Sequence, residues 1–126
     1  MPIKLDLRIY DNYLVAEFTG IRETTNELEE SIRLWTEVAN KCKEHDLYKV
    51  LAISRLNKIL STSNAFAFAE AFKSIGWNPS YKLAGVAFNK QLFLQYQRQV
   101  TFINNFGYQC KSFGNTKEAK KWLEII

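Results

Sequence analysis

Apolar and polar residues alternate through IKLDLRIY at 3–10, with Ile3, Leu5, Leu7 and Ile9 on one side and Lys4, Asp6, Arg8 and Tyr10 on the other. That period of two predicts a half-exposed strand. Asp11-Asn12 suits the positive φ of a two-residue hairpin turn, so YLVAEFT at 13–19 is expected to return antiparallel and to stop at Gly20. The period then changes. Thr24 and Glu27 have capping-box spacing, and Leu28, Ile32, Trp35, Ala39 and Cys42 recur at steps of three and four, which predicts a long helix with one apolar stripe. Glu29, Glu30, Arg33, Glu37 and Lys41 fall largely off that stripe. YKVLAI at 48–53 is an unbroken apolar run, as a strand buried on both faces of a parallel sheet requires.

After LSTSN at 60–64, Ala65, Phe68, Phe72 and Ile75 return to helical spacing, with Gly76 placed to end the helix as its C′ residue. YKLAGVAF at 81–88 reads as another buried strand, in which Gly85 would allow close backbone approach. Asn89 caps a helix to about Asn105, Gly107 stops it, and YQCKSF at 108–113 forms a last strand. Asn115 to Glu118 is a second capping box, opening a terminal helix whose apolar side is Ala119, Trp122, Leu123 and Ile126. The predicted order is a β-hairpin followed by α-β-α-β-α-β-α. Such alternation implies right-handed crossovers and a mostly parallel five-stranded sheet, with the first strand antiparallel at or near an edge.

Composition narrows the class. The chain has 126 residues, 47% of them hydrophobic, enough for one core and too few for two, so residues 1–126 are expected to form a single α/β domain. No run approaches the ~18 apolar residues of a membrane span, and MPIKLDLRIY lacks a basic-then-apolar leader; a cytoplasmic location is expected. Cys42 and Cys110 have no metal or disulfide spacing and read as buried thiols. Residues 1–46 carry six Lys/Arg against ten Asp/Glu, and residues 47–126 eleven against three, a polarity suited to orienting a partner. Without a Lys/Arg run or exposed basic aromatic strand, nucleic acid is not the expected partner.

Three features resemble the SpoIIAA-like superfamily, which holds STAS domains, such as anti-sigma-factor antagonists, and a STAS/SEC14-like group. They are the hairpin and acidic helix before Lys49-Val50-Leu51-Ala52-Ile53, the hydroxyl cluster opening the next helix, and Phe113-x-x-x-x-Glu118-Ala119-x-x-Trp122-Leu123 at the end. The resemblance covers nearly the whole chain and implies a STAS-like fold. In the antagonists an Asp-Ser-Ser/Thr-Gly motif starts the corresponding helix and its first Ser is phosphorylated. Here the motif falls on Ser61-Thr62-Ser63-Asn64, with Thr62 at the phosphorylated position. The motif's Asp is replaced by Ser61, its Gly by Asn64, and the Asp that usually ends the preceding strand by Ile53.

In a parallel sheet the loops after the strands gather at one edge, where ligands usually bind. Arg55, Lys58, Ser61, Thr62, Ser63, Asn64, Asn89 and Lys90 lie in or beside those loops, with Asn115 and Thr116 in the last. Helix starts there would favour a small anion or an acidic protein partner. The same residues also read as ordinary caps and solvated charges, and Ser61, Thr62 and Ser63 as phosphorylation candidates. No Gly-rich phosphate loop, G-x-S-x-G or paired metal-ligand spacing is present. The one histidine, His45, suits the C-terminal end of the first helix. A non-enzymatic regulatory or binding domain without metal or cofactor is therefore expected. The alternative is an apolar or lipid ligand between helices and sheet, lined from Phe66, Phe68, Phe72, Trp77, Tyr81, Phe88, Phe93, Tyr96, Phe102 and Phe106. Trp77 and Tyr81, flanking Pro79, are expected to be exposed and to offer a homodimer or partner contact.

Overall fold

The computed structural model describes residues 3–22 and 25–126. The antiparallel pair comes first: β1 (Lys4–Ile9) and β2 (Leu14–Gly20) are in register from Lys4 opposite Thr19 to Ile9 opposite Leu14. Their turn at Asp11-Asn12 contains no positive φ, contrary to expectation. It is closed by a 2.9 Å bond from the Tyr10 N–H to the Tyr13 carbonyl and by stacking of the two rings at 4.7 Å.

Helices then alternate with parallel strands: α1 (Glu27–His45), β3 (Lys49–Leu56), α2 (Thr62–Glu70), β4 (Lys82–Ala87), α3 (Lys90–Asn105), β5 (Gln109–Phe113) and α4 (Thr116–Leu123). The strands stand in chain order from β1 at one edge to β5 at the other. Crossovers of one hand that step always in one direction leave their helices on one face. Accordingly, residues of α1, α2 and α3 share a core with Leu14, Ala16, Phe18, Val50, Ala52, Leu83 and Cys110. Among the described residues α4 is the helix that covers the other face, where Ala119 and Leu123 pack on Val15, Leu51, Ile53, Ala84 and Val86.

Two lysines fasten α4. Lys49 and Lys82 are neighbours in register; Lys82 Nζ donates to the Trp122 carbonyl at 2.7 Å and lies over its ring, and Lys49 Nζ donates to the Glu124 carbonyl at 3.4 Å. Cations at a helix C-terminus satisfy its last carbonyls and favour its dipole. No helix among the described residues is long and apolar enough to cross a membrane.

Several local expectations are corrected. The Thr24 half of the first capping box lies outside the described residues. Its Glu27 is buried and directs Oε2 to the Ser61 N–H at 3.3 Å, so the acceptor a capping box draws from its own helix is here supplied to α2 by α1. α2 ends at Glu70, and residues 71–76 form turns up to Gly76. There φ is +83°, and an added Cβ would meet Lys43 Nζ. Trp77 and Tyr81, expected at the surface, are 3% and 4% exposed. Their rings meet at 5.3 Å and Trp77 packs on Trp35 and Phe72, so the Pro79 loop turns them inward and offers neither for docking.

The caps divide cleanly. Asn89 accepts from the Leu92 N–H at 3.1 Å and Asn115 from the Glu118 N–H at 2.9 Å, whereas Ser61 makes no side-chain cap bond. Asn115→Ala should therefore cost about 1 kcal/mol, and Ser61→Ala within about 0.5 kcal/mol of nothing, measured by urea denaturation. Equal costs would contradict the different geometries.

Candidate functional site

The strand-end residues divide between the two faces of the sheet. Side chains along β3 alternate, so Arg55 shares a face with Leu51 and Ile53, under α4, while Ala52, Ser54 and Leu56 face α1–α3. Arg55 Nε meets Glu17 Oε2 at 2.5 Å and its guanidinium lies 5.0 Å from the centre of the Phe88 ring. Arg8 reaches the same carboxylate at 3.2 Å. Arg55 is thus engaged away from the start of α2. One cation that reaches that start is Arg98 of α3, whose Nη1 is 3.5 Å from Thr62 Oγ1. Ser61, Thr62 and Ser63 are exposed, Asn64 and Lys58 half-buried, and Asn89 and Lys90 exposed at the start of α3.

The two arginines set the titration of Glu17. Its carboxyl lies below the ordinary carboxylate range, chiefly through the hydrogen bond from Arg55; burial opposes this, and the charges of Arg55 and Arg8 add to it. A folded-state pKa below the unfolded one stabilises the fold above the unfolded value and loses that contribution as pH falls through the folded one. Glu17→Gln should flatten the acid limb of the stability profile below about pH 4.3 and cost less than about 1 kcal/mol at pH 7, because both arginines are half exposed. An unchanged acid limb would contradict this.

On the α1–α3 face, a cavity of about 90 Å³ lies between sheet and helices. Its floor follows from register: Ala52 pairs with Gly85 and Gly85 with Ser112, three small residues side by side. A Cβ built on Gly85 would touch nothing within 4 Å. The expectation that Gly85 admits close backbone approach is thereby reversed, since it leaves space. Phe18, Trp35 and Phe68 form apolar walls, and α3 supplies Tyr96, Gln99, Val100 and Ile103 at helical spacing. Cys110 also lines the space; burial pushes its thiol up to about 12, so it is a neutral thiol there and not a nucleophile.

The cavity has a polar end. Ser54 Oγ and Tyr96 Oη are 2.7 Å apart. Arg22, only 8% exposed, donates through Nε to the Lys58 carbonyl at 3.1 Å and through Nη1 to Ser31 Oγ at 2.7 Å, and its backbone N–H donates to Asn57 Oδ1 at 2.8 Å. Among the described residues its guanidinium forms no ion pair. Gln99, also 8% exposed, has a buried Nε2 with no hydrogen-bond partner.

Of the aromatic residues expected to line a pocket, Phe68 and Tyr96 do so. Phe72, Trp77 and Tyr81 are core, Phe66, Phe88 and Phe106 exposed, and Phe93 and Phe102 half-buried. Arg22, Ser31, Ser54, Gln99 and Ser112 were not anticipated. One signal for Gln99 exists in the sequence: it is the polar member of the stripe Tyr96, Gln99, Val100, Ile103 on α3. Comparison with known protein families finds no family model that matches this chain, and comparison with curated proteins finds no match.

Proposed function

We propose that this protein is a non-enzymatic binding domain that holds a small, largely apolar molecule between the sheet and α1–α3. The observation that carries the reading is the space above Gly85, walled by apolar side chains and with Arg22 and Gln99 in its lining. Protein interiors are close-packed, so a space of about 90 Å³ with apolar walls and a few polar groups has room for a ligand of a few heavy atoms, well below the ~300 Å³ and more of drug-sized sites. Within this reading the fold is STAS-like, supported by the hairpin and the alternating elements that follow it, and the ligand site corresponds to the SEC14-like side of the resemblance.

Gly85→Val tests it. Gly85 has no positive φ, and a β-branched residue suits a strand, so the variant should fold with equal or greater stability while filling the cavity. With 1-propanol as probe, amide shifts at Gly85, Gln99 and Ser112 should saturate in the wild-type protein and vanish in the variant. Shifts that persist in Gly85→Val, or never saturate, would overturn the reading.

A second reading, docking of a small anion or acidic protein partner at the start of α2, is supported by Arg98 beside the exposed Thr62 hydroxyl. On that reading, Arg98→Glu weakens phosphate binding and Gly85→Val does not.

A further inference from the structure

Arg22 and Gln99 present one unmet requirement from two directions. A buried cation is costly unless paired, and Arg22 passes its described bonds to neutral acceptors, a carbonyl and a hydroxyl. Two buried side-chain polar atoms among the described residues lack any partner, Trp77 Nε1 and Gln99 Nε2, and of these only Gln99 belongs to the cavity wall. Both deficits are of acceptors, and one is of negative charge.

The cavity also has a direction. Leu83 pairs with Cys110 toward the N-terminal end of the strands, Gly85 with Ser112 farther along, and Ser54 lies two residues beyond Ala52 toward the C-terminal end. The wall is therefore apolar at Leu83, Cys110 and Ile103 and becomes polar toward Ser54, Tyr96 and Arg22. A ligand matched to that gradient has an apolar tail and one anionic head. About 90 Å³ is the liquid volume of roughly three waters, so the tail is short.

Resting on the cavity reading above, we infer that the occupant is a short-chain monocarboxylate, its chain toward Leu83 and Ile103 and its carboxylate toward Arg22 and Gln99. A guanidinium and an amide N–H are both donors, and a carboxylate accepts from each with charge-assisted strength at the arginine. A neutral alcohol or amide of the same chain fills the same apolar space but leaves the charge of Arg22 uncompensated.

Calorimetric titration of the wild-type protein with propanoate, propanamide and 1-propanol, all small enough for the space, separates these contributions, because the three share a chain. Propanoate should bind at least tenfold more tightly than either neutral probe, a difference of about 1.4 kcal/mol. Arg22→Met should remove that advantage while leaving 1-propanol within about twofold, and Gln99→Met should weaken propanoate more than 1-propanol. If the loss of its bond to the Lys58 carbonyl unfolds the Arg22 variant, the wild-type comparison and Gln99→Met decide. Equal binding of the three probes, or tightest binding of the alcohol, overturns the carboxylate assignment and leaves the cavity reading standing. Absence of saturable binding by all three, with the Gly85 amide unmoved, overturns both.

Discussion

Phe72→Ala is expected to cost about 3–5 kcal/mol, the usual loss for a buried aromatic truncated to alanine. Phe72 is fully buried, and its ring meets those of Phe68, Trp77, Tyr108 and Trp35 at 5.1, 5.5, 5.4 and 6.5 Å. It lies just after α2, where aromatic residues from α1, the Pro79 loop and the approach to β5 converge. Removing it strips several partners of contact at once, and large rigid neighbours collapse poorly into the space. Urea denaturation should show the loss with little change in m-value, and the melting temperature should fall by roughly 10–20 °C for a chain of this size. A cost under about 1.5 kcal/mol would mean that these rings do not form the packed centre. Trp122, although also aromatic, is half-buried and lies over Lys82, so its truncation should cost less.

The second large effect belongs to the opposite face. Leu123 is fully buried among Val15, Leu51, Ile53, Ala84 and Val86, and Leu123→Ala should cost about 2–5 kcal/mol. The eight-residue helix that carries it is too short to be stable alone, so its docking depends on this side chain, on Ala119 and on Lys49 and Lys82 at its end. The two truncations sit in separate clusters with the sheet between them. Their costs should therefore add within about 0.5 kcal/mol in the double variant. A markedly smaller sum would show that the faces share a cooperative unit beyond the sheet.

The division between Arg55 and Arg22 shows how far the site was legible. In the sequence Arg55 reads as a loop cation after the apolar run at 48–53, yet β3 continues to Leu56, so Arg55 alternates onto the side of Leu51 and Ile53, and the hand of the crossovers puts α2 on the other. Arg22 lies in a short connection between β2 and α1 and belongs to no motif that would single it out. It gains meaning only where Ser31 of α1 and the carbonyl of Lys58 converge on it from elsewhere in the chain.

By itself the sequence determined the order of strands and helices, the antiparallel hairpin at the edge, the doubly buried β3, and the caps at Asn89 and Asn115. Each of these rests on side-chain periodicity or on bonds spanning a few residues. Only the tertiary structure decided which side of the sheet each charge occupies, the inward turn of Trp77 and Tyr81, the supply of Glu27 to α2, and the cavity. Ala52, Gly85 and Ser112 are far apart in the chain and unremarkable separately; interstrand register aligns them. The space above them exists because the helices bridge over three small residues without a side chain at Gly85 to fill it.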